Sequence, residues 1–395
     1  MPDVCLYFQV HQPHRLISPQ NDRTRLKPPY EDDALNREIL NRVSDKCYLP
    51  ANKMFKQRIE ESHGLFRMAL SLSGTVVEQF KKFRPDVLES FQELVATGGV
   101  ELLAETYYHS LAFVYSDKEF QRQVDMHLDM LEENFSVRPR VFRNSELIYN
   151  NSIAAKAETL GFEGIIAEGT PAFTEGISPN YLYRAPDTAR IKTLMRNHTL
   201  SNDLAFRFSD SAWGGYPLTW EKFTDWVGQS PGDLVNLFMD YESIGEHQKA
   251  EKGIYEFWQK VPEVLIEAGS QWVTPSEAVS IYPSLKEYDC AKVTSWADAE
   301  RDLSAWYGNA MQQEAMAKIR ELEPKIVSCG DPVMLATWGR LQSSDHPYWM
   351  STKGGADGDV KNYFSPYKSA EEAYRTFMDA LADLEYRLQA CAVHA

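Results

Sequence analysis

A chain of 395 residues with a 43% hydrophobic and 25% charged composition is long enough to bury a full core, as one large domain or two ordinary ones. Its net charge of -16 argues against DNA or RNA as a partner, because phosphate binding needs a basic face. The five cysteines (Cys5, Cys47, Cys290, Cys329, Cys391) are scattered and form no CxxC pair, which predicts reduced thiols rather than a disulfide framework or a thiolate zinc site. The N-terminus reads as no signal peptide, and no apolar stretch approaches the ~20 residues that span a bilayer. The expected setting is therefore the cytoplasm, without a membrane partner.

In chain order, short apolar runs predict strands at 3–11, 67–74, 100–106, 141–146, 164–169, 191–197 and 234–242. Helical periodicity fills several gaps, from Thr75 to Thr97, Asp117 to Phe135 and Ile153 to Gly161. Alternating strands and helices imply parallel strands with right-handed crossovers. Neither GxGxxG nor GxxxxGK[ST] follows any strand, so a nucleotide-binding sheet lacks support. Polar residues close nearly every strand: Gln9 and His11, Glu105 with His109 beyond it, Arg143 to Glu146, Glu168, Arg196-Asn197 and Asp240. A barrel gathers all those ends on one rim, whereas an open sheet spreads them along an edge. The reading is an α/β fold, an incomplete (β/α)7 TIM-like barrel over residues 1–290.

Two insertions decorate the rim. Residues 12–52 hold Pro28-Pro29 and an acidic cluster, and residues 198–233 hold Trp213, Trp220 and Trp226. Long loops at the carboxyl face shape substrate clefts. After residue 290 the alternation stops, and helices are expected over 294–325, 331–341 and from Ser369 to about Ala392. We read 291–395 as a C-terminal helical bundle that returns a loop, 341–350, to the active site. That loop carries Asp345, His346, Tyr348 and Trp349, an unusual load for a connector.

Acids at the exits of buried strands are costly unless they act there. Glu146 and Asp240 are the best carboxyl pair for glycosidic bond cleavage, one giving a proton to the leaving oxygen while the other attacks or stabilises the anomeric carbon. Spacing does not say which is which, and Glu105, Glu168 and Glu242 compete for either part. His11, His109 and Asp240 would suit a metal, but no HxxxH or HExxH pair exists. No metal or other cofactor is expected.

Five stretches carry a resemblance: His11-Gln-Pro-His-Arg-Leu16, residues 99–109 ending in Tyr-Tyr-His109, Phe142-Arg-Asn-Ser-Glu-Leu-Ile-Tyr149, Met239-Asp-Tyr-Glu-Ser-Ile-Gly-Glu-His247 and residues 341–350. In that order they resemble glycoside hydrolase family 57, and within it the α-amylase-type branch. The resemblance implies a (β/α)7 barrel with a helical C-terminal region, and cleavage of α-glucans with retention of configuration. It implies that Glu146 is the nucleophile and Asp240 the general acid/base, with sugar contacts from His11, His109, Asp345 and His346. Arg143, Trp213 and Trp338 complete the candidate substrate-binding set. Other branches carry a histidine where this chain has Gln9, which puts subsite contacts and substrate preference in doubt. The expected substrate is an α-glucan or malto-oligosaccharide cleaved at α-1,4 bonds. A 4-α-glucanotransferase with the same site is the close alternative, and a non-catalytic glucan-binding protein the more distant one. The sequence leaves the oligomeric state open.

Overall fold

The structure, a computed structural model, describes residues 1–19, 30–174 and 176–392. Eight strands organise its first 240 residues: β1 (Asp3–Val10), β2 (Met68–Leu72), β3 (Val100–Leu102), β4 (Val141–Arg143), β5 (Gly164–Glu168), β6 (Leu182–Arg184), β7 (Lys192–Arg196) and β8 (Leu234–Asp240). They form two sheets, ordered β3-β2-β1-β8 and, beyond the strand Ser284–Glu287, β6-β7-β5-β4. All pairings among the seven strands anticipated from sequence are parallel. The extra strand, β6, runs antiparallel to β7.

The two sheets meet at both margins. Ala104 N–H donates to Val141 O (3.0 Å) and Arg143 N–H to Ala104 O (2.8 Å), linking the end of β3 to β4. Asn197 N–H donates to Asn236 O (2.8 Å), linking β7 to β8. Thus β1, β2, β3, β4, β5, β7 and β8 follow one another, each bonded to the next.

Strand periodicity sorts the side chains into two cores. Val4, Leu6, Phe8 and Val10 pack outward against the helices with Phe55, Phe80 and Trp258. Cys5, Tyr7, Ala69, Val141, Ile166, Leu194 and Phe238 meet in a separate inner cluster. Two residues further along each strand, the same inner row turns polar: Gln9, Ser71, Arg143, Glu168, Arg196 and Asp240. Burial on both faces explains why these strands read as unbroken apolar runs. The polar ends of the inner row are what the fold brings together.

Helix ends follow local chemistry. Ser116 caps the helix Asp117–Phe135 by accepting from Glu119 N–H, so that prediction matches its bounds. The single helix expected over 75–97 is two, Gly74–Phe83 and Pro85–Val95, because Pro85 ends the first and opens the second. The first insertion is partly helical, with Asp33–Val43 and a helix opening at Leu49, while Pro28-Pro29 lie outside the described residues.

Beyond residue 290 the helices are Ser304–Tyr307, Ala310–Cys329, Pro332–Arg340, Asp345–Trp349, Gly355–Phe364 and Ala370–Ala392. The helix expected over 294–325 starts only at Ala310, where Asn309 and Gln312 form a capping box. Ala315, Ile319, Leu322, Trp338, Trp349, Phe377 and Leu381 share a core that also takes Leu16. Trp306 and Met316 instead join Phe120, Phe142 and Tyr149 under the strands. Cys5, Cys47 and Cys290 are free, but Cys329 is disulfide-bonded, contrary to the expectation of reduced thiols throughout. Among the described residues no helix is long and apolar enough to cross a membrane.

Candidate active site

At the polar ends of the strands lies a cavity of about 450 Å³, lined among others by Gln9, His11, His109, Glu146, Asp240 and Asp345. Its two carboxyl-bearing walls are built differently.

Glu146 stands three residues past β4 in a short turn, with φ of 60° in the left-handed region. This backbone is uncommon for a residue with a Cβ and aims the side chain away from the strand axis. Its Oε1 accepts from Ser344 Oγ–H (2.7 Å) and its Oε2 from the indole N–H of Trp296 (2.8 Å). His109 Nε2 lies 3.4 Å from Oε1. Burial pushes the Glu146 carboxyl up, but the hydrogen bond and charge of His109, with the charge of Arg143, outweigh it and leave it below the usual range.

His109 is held in turn. Its Nδ1–H donates to the buried Glu105 at 2.8 Å, and Gln9 Nε2–H donates to the other oxygen of Glu105 at 3.1 Å. Burial opposes the charge on His109, yet its bonds to Glu105 and Glu146 raise the imidazole to about 9. Glu105, buried but paired with His109 and near Arg143, drops to about 2. Arg143 is fully buried, 3.8 Å from Glu105 and stacked on Trp296 at 5.2 Å. Two carboxylates and two cations thus form a balanced set that keeps Glu146 ionised.

His11 stacks on His109 with ring centroids 4.1 Å apart. Burial and the neighbouring His109 charge lower its pKa, so it is neutral at neutral pH. Ser73 Oγ–H donates to its Nδ1 (2.7 Å), and its Nε2–H donates to Asp345 (2.8 Å). Against the pull of burial, His11, His109 and Ser343 hold Asp345 well below the ordinary carboxylate range.

On the opposite wall Asp240 ends β8. Among the described residues its carboxyl makes no side-chain hydrogen bond, and no cation lies within ion-pair distance of it. Burial, then the charge of Glu146, raises it to about 6. Arg196 fixes the approach of this strand by donating from Nε to Phe238 O (2.7 Å), while its other nitrogens hold Glu168 (3.1 Å) and Asn202 (2.6 Å). One carboxyl is stabilised as the anion and its neighbour as the acid, the split that glycosidic bond cleavage uses.

The cavity brings together five of the predicted residues: His11, His109, Glu146, Asp240 and Asp345. Arg143 stands behind His109. Trp213 packs edge-on against Trp226 (5.8 Å) beside the outer core, and Trp338 is buried with its N–H on Ile319 O (3.1 Å). His346 is buried against Phe377 with Nε2 on Arg340 O (3.2 Å). None of these three is among the lining residues. Conversely, Trp296 and Ser344 touch the carboxylate of Glu146 and were not singled out. Trp296 lay inside a stretch of helical periodicity, and Ser344 is hidden beside the more conspicuous Asp345. Asp298, Glu300 and Asp357 cluster at the cavity edge, with Lys353 Nζ bonded to Asp298 (2.9 Å) and Glu300 (2.6 Å).

Comparison with known proteins gives a consistent result. Residues 5–293 match the family described as glycosyl hydrolase family 57. A protein of Methanocaldococcus jannaschii named "Putative alpha-amylase" is 41% identical over 98% of this chain and 85% of its own. Among solved structures, the 4-alpha-glucanotransferase from Thermococcus litoralis aligns with TM-score 0.71 at 12% identity, over 96% of this chain and 59% of its own. The branching enzyme from Thermococcus kodakaraensis aligns with TM-score 0.68 at 14% identity, over 98% and 90%. At these identities the two structures speak for the fold alone.

Proposed function

This chain belongs to glycosyl hydrolase family 57, and from that premise we propose that it cleaves α-1,4 bonds of starch- or glycogen-type glucans or malto-oligosaccharides through a glycosyl-enzyme intermediate. The observation that carries the proposal is the opposite bias of two carboxyls in one cavity, Glu146 lowered and Asp240 raised to about 6. We read the closed succession of seven strands as the (β/α)7 barrel and the polar inner row as its catalytic rim, with the C-terminal helical region supplying Ser344 and Asp345.

In the first step the Glu146 carboxylate attacks the anomeric carbon, and the glycosidic C–O bond breaks as Asp240 gives its proton to the departing oxygen. The developing positive charge at the ring is met by the Glu146 anion. Asp240, now ionised, then takes a proton from water, whose oxygen attacks the anomeric carbon and releases Glu146 as carboxylate. His109, Ser344 and Trp296 hold Glu146 in place through both steps. The relative from M. jannaschii bears an α-amylase name, which supports hydrolysis; a sugar hydroxyl taking the place of water would make the same site a transferase.

Product analysis tests this reading. Maltoheptaose incubated with the protein is expected to give shorter chains and new reducing ends. Longer chains with constant reducing ends would assign transfer, and an unchanged substrate would reject both.

A further inference from the structure

Two residues beyond Asp240, a second buried carboxyl lines the same cavity. Glu242 sits in the short turn Tyr241–Ser243, and no Lys, Arg or His lies within ion-pair distance of it among the described residues. The mechanism above makes no use of it.

Its hydrogen bonds have a definite sense. Gln12 accepts at Oε1 from Arg15 Nη2–H (3.1 Å), which fixes the amide so that its NH₂ faces Glu242. Gln12 Nε2–H then donates both to Glu242 Oε1 and to the Tyr48 hydroxyl oxygen, each at 3.3 Å. With its oxygen accepting from Gln12, the Tyr48 hydroxyl turns its own proton onto Glu242 Oε1. Two side-chain donors therefore converge on Oε1, and no side chain among the described residues bonds to Oε2. An ionised carboxylate here would be buried, without a cation, beside Asp240.

We propose that Glu242 binds the sugar as a neutral carboxylic acid, Oε1 accepting from Tyr48 and Gln12 while Oε2–H donates to a substrate hydroxyl on the Asp240 side of the cleft. The ligand named here rests on the glucan reading above; the protonation does not. The groups that face Glu242 pull both ways: burial and the Asp240 charge favour the neutral acid, while the hydrogen bonds from Tyr48, Gln12 and Glu242's own N–H favour the anion and are outweighed. Asp240 comes from its own segment, Cys47 and Tyr48 from the first insertion, and Tyr363 from the helix Gly355–Phe364. Nearby Glu246 is paired with Arg42 and Lys46. Burial first, and the Asp240 charge second, raise the Glu242 carboxyl to about 8. A neutral acid that donates one hydrogen bond is a use to which apolar sites put carboxyls elsewhere.

The test compares wild type, Glu242→Gln and Glu242→Ala on maltoheptaose across the neutral and alkaline range. Near neutrality Glu242→Gln, which keeps a donor, is expected to raise KM no more than about threefold, and Glu242→Ala at least about tenfold. Wild-type KM should climb as pH passes about 8, a rise that Glu242→Gln lacks. Infrared difference spectra should show a protonated-carboxyl stretch at neutral pH in wild type that Glu242→Gln removes. A Gln variant as poor as the Ala variant, a pH-independent wild-type KM, or the absence of that band would overturn the proposal. Should Glu242→Ala misfold, the Gln variant and the wild-type pH dependence decide alone. Failure of the glucan reading looks different: no variant binds maltoheptaose while the infrared band persists, which overturns the ligand and keeps the proton.

Discussion

The two walls of the cleft solve opposite electrostatic problems with the same residue type. Around Glu146, at the ends of β3 and β4, Glu105, His109 and Arg143 are buried together and their charges balance. Around Asp240 and Glu242, at and just past the end of β8, neither carboxyl has an ion-pair partner among the described residues, and both keep protons beyond the ordinary range. The lesson is that burial alone does not assign a carboxyl its role. Whether a cation is buried with it does.

The comparison breaks most visibly if the anionic wall loses its anion. Glu146→Ala is expected to lower kcat by at least ~10⁴-fold while calorimetry still detects maltoheptaose binding, since the covalent step is lost and the cleft is not. Asp240→Asn should cost roughly 10²–10⁴-fold on natural glucans and less on substrates with good leaving groups. In wild type kcat/KM should fall as pH rises past about 6, where Asp240 gives up its proton in the free enzyme. That alkaline limb should vanish in the variant's residual activity. Weakening the neutral hydrogen bonds to Glu146 gives a smaller effect. Trp296→Phe removes one donor from Glu146, an expected loss of ~10–100-fold in kcat with little change in KM.

The smallest effect is on stability and has the opposite sign. The folded-state pKa of Asp240, about 6, lies above its ordinary value of 3.8. The folded protein therefore binds the extra proton, and stability falls as pH rises between those two values. Above that window the penalty is complete, and Asp240→Asn escapes it. Urea unfolding should find the Asn variant more stable by ~1–3 kcal/mol at mildly alkaline pH and equal to wild type in acid. Equal stability at both would mean that Asp240 is not strained by its surroundings, and the contrast between the walls would go.

Much of this was legible in the chain. Parallel strands buried on both faces read as apolar runs, and the inner row's change from Tyr7 to Gln9 or Phe238 to Asp240 marks where each strand meets the cavity. Spacing alone did not show the split between Glu146 and Asp240, because it depends on His109, held by Glu105, arriving from beyond β3 beside Arg143 of β4. Tryptophans also mislead. Trp338 looked available to a sugar but fills the helical core, while Trp296 sat at helical spacing within 294–325. That segment abandons the helix because its backbone is held elsewhere: Trp296 N–H donates to Glu146 O, and Asp298 and Arg301 take positive φ. Such tertiary bonds override local propensity and leave no periodic trace.

Ser344 reaches Glu146 from 198 positions further along the chain, and Asp345 reaches His11 from 334. During synthesis on the ribosome, the strands emerge first, and Ser344 and Asp345, which bond to Glu146 and His11, emerge only after them. A nascent chain halted before residue 344 would carry Glu146 and Asp240 and still lack the finished centre. The proposed centre is thereby completed only after all seven strands of the closed succession have been made.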